Sequence, residues 1–148
     1  MNRPIRILMA EDNPADQEIT RRVIADMGIP SELKILEDGL EVMNYLTRVE
    51  IYSDPEISPR PDFIMLDINM PRMNGKETLE AIKSNPNFRS IPVVMLTTSS
   101  YEKDIIESYE LGVNAYITKP VDIGQFFTLI GNLKHFWFQI AELPPNSG

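Results

Sequence analysis

One stretch constrains this chain more than any other: Phe63-Ile64-Met65-Leu66, flanked by Asp62 and Asp67 and followed at once by Ile68-Asn69-Met70-Pro71-Arg72-Met73-Asn74-Gly75. A short, uninterrupted apolar run bounded by turn residues fits a strand buried on both faces, as in a parallel sheet. Asp67 then stands where the chain leaves the carboxyl end of that strand. In open α/β sheets that rim is where ligands bind. A lone aspartate there is most often a turn former or a helix cap. Its companions at the other strand ends give it chemistry.

The rest of the chain repeats the same unit. Ile5 to Ala10 is a strand ending in Glu11-Asp12-Asn13-Pro14, with Asp12 or Asn13 placed to cap the next helix. Ile19, Val23, Ile24 and Met27 recur at helical spacing from Ala15 to Met27, and Gly28 ends that helix. Leu33 to Leu36 is a second strand, and Leu40, Val42, Met43, Leu46 and Val49 mark a second helix. Ile51 to Pro61, with its prolines and no period, reads as a surface excursion rather than a domain boundary. After Asp67 a helix is expected from Gly75 to Lys83, a strand from Ile91 to Leu96, and a helix from Tyr101 to Leu111 closed by Gly112. Asn114 to Thr118 is a fifth strand running into Lys119-Pro120, and Asp122 caps a last helix to about Glu142. Strand and helix thus alternate five times. The expected fold is α/β, a doubly wound five-stranded parallel sheet with helices on both faces.

Composition narrows the function classes. The 148 residues suffice for one domain with a real core. No apolar run is long enough to span a bilayer, and the opening residues enter a strand pattern at once, so a cytoplasmic location is expected. There is no cysteine, which removes disulfides and thiolate chemistry, and a single histidine, His135, which removes any mechanism needing two. A net charge of -8 argues against binding nucleic acid. It suits a site where acids hold a cation.

In a parallel sheet all strand ends of one sense open on one rim. That gathers Glu11 and Asp12, Asp67, Thr97 and Lys119. Asp12 and Asp67, helped by Glu11 and a backbone carbonyl, are the hard oxygen ligands Mg2+ prefers. A carboxylate beside such a cation is able to act as a nucleophile and form an acyl phosphate. Lys119 supplies a point charge, and the Thr97 hydroxyl a donor, for phosphoryl oxygens. Each residue alone has an ordinary structural explanation. The set together reads as a phosphoryl-transfer site.

These residues carry a family resemblance. The acid pair Glu11-Asp12, Asp67 within Leu66-Asp67-Ile68-Asn69-Met70-Pro71, Gly75, Thr97 and Lys119-Pro120 resemble a response-regulator receiver domain, of CheY-like, flavodoxin-like (βα)5 fold, over residues 5 to about 138. The resemblance implies one receiver domain across 1–148 (core 5–143), without an output domain, so that output is a protein contact or onward transfer. It implies that a sensor histidine kinase phosphorylates Asp67. Mg2+ would be bound by Glu11, Asp12, Asp67 and the Asn69 carbonyl, with Lys119 on the phosphoryl group. It also implies a cis Lys119-Pro120 bond and a switch in which Thr97 moves to the phosphoryl group while Tyr116 turns inward. Thr98 stands where the family often has alanine or glycine, and Asn69 and Ser99 are uncharged. A phosphorylated state lasting minutes or longer is therefore expected.

The last helix is more apolar than one buried stripe needs. Phe126, Ile130, Leu133 and Trp137 make the stripe, whereas Phe127 and Phe138 lie off it and Phe136-Trp137-Phe138 wraps around. Such a surplus marks a contact surface. A homodimer through helix four, strand five and helix five is expected, with Phe127, Phe136, Trp137 and Phe138 at the interface. The insert at Ile51 to Pro61 and the ending Phe136 to Pro145 are similar to stand-alone regulators of phytochrome-type histidine kinases. Three other readings compete. An aspartyl-phosphate phosphatase would have a second acid where Asn69 stands, and a scaffold with a dead site would not keep this full set. A phosphorelay intermediate or phosphate sink stays open.

Overall fold

The computed structural model describes residues 3–26 and 30–145. Its elements run β1 (Ile5–Ala10), α1 (Pro14–Ala25), β2 (Ser31–Leu36), α2 (Gly39–Thr47), β3 (Phe63–Leu66), α3 (Gly75–Ser84), β4 (Val93–Thr97), α4 (Glu102–Glu110), β5 (Ala115–Thr118) and α5 (Ile123–His135). The five strands form one parallel sheet in the order β2-β1-β3-β4-β5. The order steps outward in both directions from β1 and β3, so the crevice between their carboxyl ends is the topological switch point.

Period-two alternation along each strand splits the core in two. Leu8, Ala10, Ile64, Leu66, Val93 and Met95 face α2 and α3, meeting Val42, Leu46, Leu79 and Ile82. Ile7, Met9, Phe63, Met65, Val94 and Leu96 face the other way, onto Val23 and Ile24 of α1 and Phe126, Ile130 and Leu133 of α5. All four residues of β3 are buried, as expected for the central strand. Burying each such side chain contributes about 1.5–3 kcal/mol. Asp62, at the entrance to β3, is fixed by a bidentate pair with Arg3 (2.7 and 2.6 Å) and by the Arg6 N–H (2.9 Å).

The excursion after α2 is ordered by aromatic and hydroxyl groups. A 3-10 turn over Glu50–Tyr52 buries Tyr52 edge-on against Tyr45, with ring centroids 5.3 Å apart. Tyr52 donates to Glu41 at 2.9 Å, Tyr45 donates to the Pro59 carbonyl, and Ser58 donates to the Tyr52 carbonyl. The loop is thereby folded back on the domain.

The structure corrects three expectations. The Lys119–Pro120 peptide is trans, as no described peptide bond is cis. The last helix stops as an α-helix at His135 and continues as a π turn over Phe136–Ile140, short of Glu142 and ahead of the terminal prolines. That wider turn advances the buried stripe from Leu133 by five residues to Phe138, which is only 8 % exposed and meets Phe63 edge-on at 5.1 Å. Trp137 also packs on Phe63, at 5.1 Å, and is half-buried. Phe138 is therefore core, not surface, while Phe127 and Phe136 stay about half exposed. The first helix ends by Asp26, and Met27 and Gly28 lie outside the described residues.

Candidate functional site

The carboxyl ends of β1, β3, β4 and β5 bring the expected residues together. Backbone bonds set their depth: Glu11 N–H donates to the Leu36 carbonyl, Asp67 N–H to Ala10, and Lys119 N–H to Thr97. Glu11 and Thr97 are buried, Asp67 and Lys119 nearly so, and Asp12 is exposed. The Lys119 ammonium donates to Glu11, to Asp67 Oδ2 at 3.2 Å, and to Asp16 Oδ2 at 3.0 Å. Burial works against that ammonium, but the Glu11 hydrogen bond and charge, with Asp67 and Asp16, outweigh it. Its pKa is raised above the ordinary lysine value, so it stays charged.

Local structure holds each carboxylate. Asn13 caps α1, accepting from the Ala15 and Asp16 N–H groups, while its own N–H donates to Glu11 Oε2 at 3.0 Å. Gln17 Nε2 donates to the Glu11 carbonyl at 2.6 Å. Asp67 Oδ1 accepts from the Asn69 N–H at 3.3 Å. Gly75 opens α3 against the site: its N–H donates to the Ile68 carbonyl, and a Cβ there would lie 2.2 Å from the Asp67 carbonyl. Only glycine lets the chain pass this close.

Glu11, Asp12 and Asp67 each offer a carboxylate oxygen, all within 4.8 Å of one another. Three hard oxygen donors so close repel one another, and this donor set fits a divalent cation. A cavity of about 600 Å³ opens beside it, lined by Asn69, Thr98, Ser99, Ser100, Tyr101, Lys103 and Asp104.

Thr97 Oγ1 accepts from the Ser99 N–H at 3.3 Å. Tyr116 is partly buried against the core face shared with α2 and α3. Two features escaped the sequence reading. Asp16 reaches Lys119 from the first turn of α1, and Ser99 donates to Asp104 (2.5 Å), which also meets Lys76 (2.5 Å). Asp16 was detectable as the acid closest after the Asn13-Pro14 turn. Nothing in the sequence pairs Lys76 with Asp104.

Comparison with known proteins points to one family. The family model of the response regulator receiver domain matches residues 7–131. Response regulator Rcp1 of Synechocystis sp. is 43% identical over 143 residues, covering 97% of this chain and 95% of Rcp1. Chemotaxis protein CheY-3 of Vibrio cholerae is 29% identical over 120 residues, covering 81% of this chain and 84% of CheY-3. The crystal structure of the Mn2+-bound form of Rcp1 superposes with a TM-score of 0.91, covering 96% of this chain and all (100%) of that one. The phosphorylated cyanobacterial phytochrome response regulator RcpA, 40% identical, gives 0.92 over 97% of this chain and 100% of RcpA. Among the described residues no helix is long and apolar enough to cross a membrane. With the switch-point acids, the buried lysine and this likeness over nearly its whole length, the chain belongs to the response-regulator receiver family of two-component signalling proteins.

Proposed function

We propose that this receiver accepts a phosphoryl group on Asp67 from the phosphohistidine of a sensor histidine kinase. The observation that carries the reading is Asp67, with one oxygen on Lys119 and the other on the Asn69 N–H, beside the acids Glu11 and Asp12. A carboxylate oxygen of Asp67 forms the new O–P bond as the N–P bond of the donor breaks. The electron pair of that bond returns to the imidazole nitrogen. Lys119 neutralises charge on a phosphoryl oxygen, and the Thr97 hydroxyl, once released from the Ser99 N–H, donates to another. Glu11, Asp12, Asp67 and the Asn69 carbonyl would hold the cation, Mg2+. When bound, it offsets carboxylate repulsion and the charge of the transferring group. Hydrolysis of the acyl phosphate resets the protein.

A phytochrome-type kinase is the favoured partner, supported by the likeness to RcpA across 97% of the chain. The partner surface for a second copy is the α4–β5–α5 face. Support comes from Ile106, Tyr109, Phe127 and Phe136, each about half exposed, and from an apolar groove of about 520 Å³ between Ile117, Leu129, Phe136 and Trp137.

The test is phosphorylation of the purified chain by acetyl phosphate with Mg2+, read by intact mass. Wild type gains one phosphoryl group and Asp67→Asn gains none. Equal labelling of both proteins would place the acceptor elsewhere.

A further inference from the structure

A lysine ammonium is a point charge on a flexible stem, with three N–H donors and no direction of its own. Whatever aims it has to come from its partners. At Lys119 those partners are three carboxylates from three segments: Glu11 at the end of β1, Asp16 in the first turn of α1, and Asp67 at the end of β3. Three donors meet three acceptors.

Asp16 differs from the other two. It lies outside the Glu11–Asp12–Asp67 group that fits a cation, so its carboxylate is committed to Lys119 whatever that group holds. Its backbone is fixed at both ends: its N–H donates to the Asn13 cap at 3.1 Å, and its carbonyl accepts from Thr20 Oγ1 at 2.8 Å. The side chain is 24% exposed, closing the solvent side of a lysine that is itself 4% exposed.

We propose that Asp16 is a positioning residue for phosphoryl transfer. With Glu11 it pins two of the Lys119 N–H donors, so that the third is aimed at Asp67 Oδ2, where a phosphoryl oxygen would take it over. The proposal rests on Asp67 being the phosphoacceptor. Without Asp16 one donor turns to water, and the ammonium swings about its remaining contacts.

Two variants and two measurements test this. Initial rates of phosphorylation by acetyl phosphate are taken at saturating Mg2+ for wild type, Asp16→Ala and Asp16→Asn. Asp16→Ala lowers the rate roughly tenfold or more, the scale of a charge-assisted hydrogen bond. Asp16→Asn keeps an oxygen acceptor without the charge and recovers most of that loss. A wild-type rate in Asp16→Ala overturns the proposal. Equal loss in Asp16→Asn also overturns it, leaving only a charge effect. Independently of transfer, the Lys119 ammonium gives a slowly exchanging 15N–1H signal in wild type that Asp16→Ala loses and Asp16→Asn retains. A signal unchanged in Asp16→Ala shows that Asp16 does not hold the lysine. Failure of wild type to take any phosphoryl group, with that signal behaving as expected, overturns the phosphoacceptor reading instead.

Discussion

The Tyr116 hydroxyl donates to the backbone carbonyl of Ser99 at 2.9 Å, two residues beyond Thr97. The edge strand β5 is thus tied to the loop after β4, which lines the cavity shared with Asn69. The same loop is held from the other side, where Ser99 Oγ donates to Asp104 and Asp104 pairs with Lys76 of α3. In the switch that the receiver-family resemblance implies, Tyr116 turns inward as Thr97 moves. Here the Tyr116 hydroxyl is already on the Ser99 carbonyl, and Thr97 Oγ1 is on the Ser99 N–H. One residue therefore joins the Thr97 and Tyr116 side chains.

Tyr116→Phe removes that bond and leaves the ring. The expected cost in stability is about 1 kcal/mol, the net value of a neutral hydrogen bond. Hydrogen exchange should quicken at the amides of residues 99 to 101. Unchanged exchange there would mean that the Asp104–Lys76 pair alone holds the loop.

Gly75 offers a sharper steric test. A Cβ would meet the Asp67 carbonyl at 2.2 Å and Ile68 Cα at 2.8 Å, both backbone atoms with little freedom to move. Gly75→Ala should lower the unfolding free energy by about 1–3 kcal/mol, as overpacking does. It should also weaken Mg2+ binding, because Asp67 is displaced. Calorimetric titration beside urea unfolding reads both effects.

Much of this was legible because burial and turn chemistry agree locally. The apolar run Phe63–Leu66, the acids after Ala10 and the Asp122 cap each carry their role in their own neighbourhood. What was hidden depends on distant pairing or on backbone geometry. Asp16 and Lys119 are 103 residues apart, and no periodicity links them. The inward turn of Phe138 depends on a π turn, for which the helical spacing 3.6 gives no cue. The cis expectation for Lys119–Pro120 came from resemblance alone, and the chain is trans there.

Asp38 predicts a pH dependence. It caps α2 through the Glu41 N–H and pairs with Arg72 Nε at 2.8 Å, where Arg72 takes a left-handed φ of 61°. Burial pushes the Asp38 carboxyl up, but the Arg72 hydrogen bond, the Glu41 N–H and the Arg72 charge together hold it below the usual range. A depressed folded-state value means stabilisation that is complete above the unfolded pKa of about 3.9 and lost as the pH falls through the folded value. Asp38→Asn keeps the cap and loses the pair. It should be less stable than wild type near neutral pH, with the gap closing on the acid limb. A gap that stays constant through acid unfolding would show that the ion pair contributes nothing.

Phe136 and Phe138 should separate surface from core. Phe138 is 8 % exposed and Phe136 is 51 %. Phe138→Ala should cost about 3–5 kcal/mol, whereas Phe136→Ala, which loses only an edge-on contact with Trp137, should cost about 1 kcal/mol in unfolding of the monomer. If the α4–β5–α5 face joins two copies, Phe136→Ala lowers the mass seen by light scattering without loss of fold. A wild-type mass in that variant would count against Phe136 at the interface.

The cavity wall bears on how long a phosphorylated state lasts. Hydrolysis needs a water held in line with the O–P bond, and a basic carboxylate nearby would help to hold it. Thr98 and Asn69 are exposed on this wall, and Asn69 carries no charge. The Ser99 hydroxyl is spent on Asp104. The one carboxylate on this wall, Asp104, is held below the usual range by the Lys76 and Ser99 hydrogen bonds and so is a weak base. Loss of the phosphoryl group after removal of excess acetyl phosphate should therefore take minutes or longer. Thr98→Ala opens the wall to water and should shorten that lifetime several-fold, as read by intact mass over time. Decay of the wild type within seconds, with no phosphatase present, would show that water reaches Asp67 by a path Thr98 does not guard.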